Sequence, residues 1–209
     1  MLDDLIKVGL FLFGAIFSVI LVPFIEKKKS DFLREQSRNG LLVELEDIQN
    51  ELNEHIEQHF QFLVNLRTQP ELANNGKVPV PMPREINIKV LSGLYNKSAT
   101  ILTSSQRIAI KRVPSSIDLI MKNSQSSIDS VVNQKIYSVQ AVKNTIKLSC
   151  RLVSEINLLR QERERFRIRE ELNSNAATIP VLLSLGFSKD QIKMSRIEDS
   201  QFIDLNVEI

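Results

Sequence analysis

With 209 residues, 43% of them hydrophobic and 25% charged, the chain has enough apolar material to bury a core and too much to remain disordered. Its formal net charge of +2 provides no overall field that would select a nucleic acid or an acidic partner. A single cysteine, Cys150, excludes an intramolecular disulfide framework and a cysteine-based zinc site, and no tryptophan with only six glycines is poor material for a β-sandwich.

The first element is apolar. Val8 to Ile25 contains no charged residue, and Leu5 to Ile25 as a helix covers about 30 Å, the thickness of a bilayer's hydrocarbon core. The preceding "MLDDLIK" is more acidic than basic, the apolar run is too long for a signal peptide, and "VPFIEKKK" holds no small-residue cleavage site. The expectation is a permanent membrane-spanning helix, with Lys7 able to snorkel to the headgroups and Pro23 in the last turn. Lys27, Lys28 and Lys29, followed by Arg34 and Arg38, outweigh the lone Lys7 on the other side. The positive-inside rule therefore predicts a single-pass protein with its N-terminus outside and its remainder cytoplasmic, the lysines meeting anionic headgroups at the membrane interface. Gly14 and Ser18, one turn apart, are a candidate helix-association face for a homo-oligomer.

Beyond the lysines the pattern predicts helix as far as Arg67, with a soft joint at Gly40. Leu41, Leu45, Ile48, Leu52, Ile56, Phe60 and Leu63 recur at steps of three or four, while Glu44, Glu46, Asp47, Glu51, Glu54 and Glu57 occupy other faces. Prolines 70, 79, 81 and 83 predict an extended connector over 68–83, and helix is expected again from Arg84 through Ile86, Val90, Leu94 and Ile101. "TSSQ" at Thr103 is a capping box opening a further helix, which Pro114 is expected to kink or end. Ser115 to Leu172 carries no Pro or Gly and sustains a helical stripe, with the polar Asn123–Ser127 as the expected break. In "LRQERERFRIREEL", from Leu159, Arg160 with Glu164 and Arg167 with Glu171 have the spacing of helical ion pairs, and the interleaved glutamates argue against RNA binding. "NSNAAT" from Asn173 reads as a linker, after which Pro180 starts a short helix, Gly186 ends it and "SKDQ" from Ser188 opens another.

Charge is distributed unevenly. The interval 41–72 has a net charge of −6 and 84–151 a net charge of +8, as expected of acidic and basic helices packed side by side. The expected fold is all-α: a transmembrane helix with its short tail in 1–25, an antiparallel helical bundle with long coiled-coil-like helices in 26–175, and a small helical appendage in 176–209.

Chemistry-bearing residues are few. His55 and His59 lie four apart and can face one metal ion, but a third ligand would have to come from Glu51 or elsewhere, and Ile56 stands where a zincin needs glutamate. No glycine-rich phosphate loop or G-x-S-x-G motif is present. These patterns predict no enzyme, no cofactor and no nucleic-acid partner. They predict a membrane-anchored helical protein that binds or scaffolds a protein partner at the cytoplasmic face. The alternatives are a membrane-perturbing effector whose anchor oligomerises on triggering and a metal-dependent enzyme using His55 and His59.

Overall fold

The computed structural model describes residues 2–69, 71, 78–82, 84–134, 137–169 and 174–198. Among these, six α-helices and one 3-10 turn account for most of the chain, with no strand. The first, α1 (Leu2–Thr68), is 67 residues long, about 100 Å at the standard rise. It runs through both Pro23 and Gly40, so the expected joint does not form. Gly40 faces the next helix: a Cβ there would stand 3.4 Å from Leu94 Cδ2, in van der Waals contact.

Two environments divide α1. Leu10, Phe11, Phe13, Ile16, Phe17, Val19 and Ile20 are all exposed, whereas the predicted stripe from Leu41 to Leu63 is buried throughout. Each such leucine, isoleucine or phenylalanine removed from water contributes about 1.5–3 kcal/mol. The stripe broadens toward the end of α1, where Phe62, Val64 and Leu66 are buried as well.

Described residues 79–82 and 84–88 have no regular secondary structure, and the helix expected from Arg84 begins only at α2 (Leu91–Ser98). Contacts to α1 hold the intervening segment out of helical geometry. Glu51 accepts the Asn87 N–H at 2.8 Å, Arg84 pairs with Glu54 at 2.9 Å, and Val78 and Ile86 are buried. Thr103 then caps α3 (Ser104–Gln134) as expected: Gln106 N–H donates to its hydroxyl at 3.3 Å, and its own N–H donates to Gln106 Oε1 at 2.8 Å.

Neither Pro114 nor Asn123–Ser127 interrupts α3. In the polar run, Asn123 and Ser127 donate to carbonyls four residues back, so these side chains bond within the helix. Ser124 is buried against α1. The break falls beyond Gln134, and Ser138 caps α4 (Val139–Glu162) by accepting from Ala141 N–H. Tyr137, buried at this turn, sets its ring edge-on to Phe62 and donates its hydroxyl to Val78 O at 3.2 Å.

The helix expected to continue through Leu172 stops at Glu162, where Arg163 turns the chain with φ +49°. The Arg160–Glu164 pair does not form: Arg160 reaches Glu46 of α1 at 2.6 Å, and Glu164 meets Arg38 at 2.8 Å. Glu171 lies outside the described residues, as do Pro70 and Pro83. The expected linker at Asn173–Thr178 is instead the start of α5 (Ser174–Ser184), and Pro180 lies inside that helix. Ala177 and Thr178 are buried, and packing against α4 holds these turns in place. Gly186, at φ +88°, closes α5, and the capping box of Ser188 and Gln191 opens α6 (Lys189–Ser195) as expected.

One core unites these helices. α1 packs on α4, α2 and α6 pack on α1, and α3 and α5 pack on α4. Leu182, Ile192 and Ile197 belong to that core, the Phe187 ring tilts against Phe60 with centroids 4.5 Å apart, and buried Lys143 of α4 donates to Arg196 O at the end of α6. The C-terminal helices are thus integral as far as Glu198. We expect Phe60→Ala to lower unfolding stability by about 3–5 kcal/mol in urea titrations. A double-mutant cycle with Phe187→Ala should return a coupling of about 0.5–1.5 kcal/mol, and zero coupling would show that the C-terminal helices unfold on their own.

Candidate functional site

The two histidines come together where the α1 stripe is most deeply covered. Four residues apart on a helix, His55 and His59 lie against each other with ring centroids 4.1 Å apart and planes inclined at 36°, and they are only 3% and 1% exposed. His59 Nδ1 lies 2.9 Å from His55 O and Nε2 lies 2.9 Å from Ser124 Oγ. A carbonyl can only accept, so Nδ1 carries the proton and Nε2 accepts from the serine hydroxyl. Both nitrogens of a neutral His59 are thereby occupied. His55 differs, since both of its ring nitrogens are buried without a hydrogen-bond partner.

Burial dominates their titration. It pushes His55 down to about 3, and the neighbouring His59 adds a smaller effect in the same direction. His59 is also lowered by burial, partly offset by its bond to the His55 carbonyl. Both rings are neutral at pH 7. Glu51, one candidate for a third metal ligand, is bonded to the Asn87 N–H. No group of three or more His, Cys, Asp or Glu able to hold a metal assembles among the described residues. Cys150 is also in the core, where burial pushes its thiol up to about 12 and keeps it protonated.

At the other end of the core, Lys27, Lys28 and Lys29 are exposed on α1 just past the apolar run, with the Lys28 ammonium 5.8 Å from the Phe24 ring centre. Lys97, at the end of α2, joins Lys29 and Arg34 around a cleft of about 320 Å³. Sequence spacing gave no hint of that lysine, because only the return of α2 past Gly40 brings it there. α1 is the one helix among the described residues that is long and apolar enough to cross a membrane. Gly14 is open, with nothing within 4 Å of where a Cβ would stand, whereas the Ser18 hydroxyl donates to Gly14 O at 2.7 Å and is satisfied within its own helix. The two residues share a free face, and the serine is not left seeking a partner.

Comparison with known proteins finds no matching family model, no similar curated protein and no similar solved structure.

The buried histidines make stability depend on pH in a definite direction. Above about pH 6.5 His55 is neutral whether folded or unfolded; below it the unfolded chain takes up a proton that the folded state refuses until about pH 3. Stability should fall as pH drops through this window, by up to about 1.4 kcal/mol per pH unit from His55 alone. His55→Leu should be as stable as the parent at pH 7 or more so, because it removes an unsatisfied buried ring, and it should flatten the pH slope. Urea titrations at pH 7, 6 and 5 check both, and an unchanged slope would show that His55 is not the titrating group.

Proposed function

We infer that this chain is a single-pass membrane protein whose short N-terminus lies outside, and whose helical bundle binds a protein partner at the cytoplasmic face without catalysing a reaction. The observation carrying this reading is α1 itself: an apolar, exposed segment that continues without interruption into the helix on which the core is packed. An exposed row such as Phe11, Phe13, Phe17 and Phe24 is costly in water and favourable in lipid. The basic excess after the span supports the orientation. Support for a binding role comes from the chemistry-bearing side chains. The imidazoles are neutral and enclosed, and the thiol is protonated and buried, so none is presented to a substrate at the surface.

A second reading has one observation in its favour. Because α1 joins the apolar segment to the core without a break, a shift in the core would move the span as part of the same rod. That is what a triggered, membrane-perturbing effector needs.

Membranes from cells expressing the full chain discriminate these readings. Under the first, the protein resists carbonate extraction, protease digests the helical portion only from the cytoplasmic side, and membrane potential is sustained on induction. Release by carbonate would overturn the anchored reading, and collapse of the potential would favour the effector.

A further inference from the structure

The segment after α4 combines charge and conformation in a way that the helical reading of the sequence conceals. Once Arg163 turns the chain, residues 163–165 form one 3-10 turn, Phe166 is extended with φ −54° and ψ 133°, and 167–169 have no regular secondary structure. Burial alternates from residue to residue through this stretch. Phe166 is buried and Ile168 half-buried, while Arg165, Arg167 and Arg169 are exposed. The segment is held in place by Phe166 in the core and by the Gln106 amide, which donates to Arg163 O at 2.8 Å.

These arginines and Arg38 of α1 line one cleft of about 740 Å³, the size of a small-molecule site. Five guanidinium groups face it against two carboxylates, and both carboxylates are engaged: Glu164 pairs with Arg38 at 2.8 Å and Glu162 bonds Arg169. Arg163, Arg165 and Arg167 form no ion pair among the described residues, although Arg167 donates to Phe166 O. Arg38, the least exposed of the five, keeps a buried Nε without an acceptor. Guanidinium groups that line one cleft carry like charge, and a multiply charged oxyanion offsets it by accepting paired N–H bonds.

We propose that this cleft binds a phosphate-bearing anion with at least two negative charges. Its source is a phospholipid headgroup or a free phosphorylated compound. The absence of an exposed aromatic in the described segment, where Phe166 is turned inward, disfavours a single-stranded nucleic acid, whose bases need a stacking surface. The proposal stands whether or not α1 crosses a membrane, so its failure would leave the anchored reading untouched.

The test is calorimetric titration of the full chain in uncharged detergent with inorganic pyrophosphate, dihexanoyl phosphatidic acid and dihexanoyl phosphatidylcholine. Saturable binding is expected for pyrophosphate, phosphatidic acid or both, weakening as salt rises, with none for phosphatidylcholine. Arg165→Gln/Arg167→Gln should weaken it at least tenfold, whereas Lys122→Gln/Lys189→Gln, with the same charge loss outside the cleft, should not. Arg165→Gln alone removes a side chain that makes no hydrogen bond among the described residues, so its several-fold loss would be free of any folding defect. Binding of phosphatidic acid alone assigns the headgroup, and binding of pyrophosphate alone assigns a free compound. No saturable binding to either, or an equal loss in both double variants, would overturn the proposal.

Discussion

The contact between α1 and α4 is the constraint on which the other helices depend. α2 and α6 have their footing on α1, and α3 and α5 have theirs on α4. The buried Leu41–Leu63 face of α1 and its packing on α4 make the broadest join between the two pairs, supplemented by the Lys143–Arg196 and His59–Ser124 bonds. Arg160 marks this interface from the polar side, reaching both Glu46 and Gln49 across it. Half-exposed, this bridge contributes little by itself. Its role is to fix register where the apolar stripe alone would tolerate sliding.

Because the same helix also carries the exposed apolar segment, position in the core and position of that segment are mechanically linked. Between them lies Glu26–Asn39, largely exposed and rich in charge, with Lys27–Lys29 on one side of Asp31 and Arg34 on the other. Lys97 and the arginine cleft both lie beside this stretch of α1. Basic groups from three separate parts of the sequence are therefore gathered at the end of the core nearest the apolar segment. The histidine pair is enclosed farther along α1, past the predicted stripe's midpoint. There it behaves as two tilted rings in contact, with one satisfied and one unsatisfied polar edge.

Much of this was legible from local patterns. Helical spacing identified the buried face of α1, the length of the uncharged run identified the apolar segment, and the Thr103 and Ser188 boxes each marked a real helix start. What was not legible depended on distant partners. Asn123–Ser127 looked like a break because nothing local indicates that Ser124 meets His59, 65 residues away. Ile86 looked helical because the hold of Glu51 on Asn87 cannot be read from spacing. The arginines from 163 to 169 carried a usable signal, strict alternation about Phe166 and Ile168. Pairing at i and i+4 was the wrong period to apply to them, and the turn at Arg163 is what changed the period.

The link between the apolar segment and the core depends on α1 being one continuous helix from one into the other. Spin labels at Ile25 and Val43, both exposed and eighteen residues apart, measure it directly in reconstituted membranes by pulsed dipolar spectroscopy. An unbroken helix predicts a single narrow distribution centred near about 27 Å. A broad distribution, or a markedly shorter distance reflecting a bend at Gly40 or in the charged stretch, would contradict it.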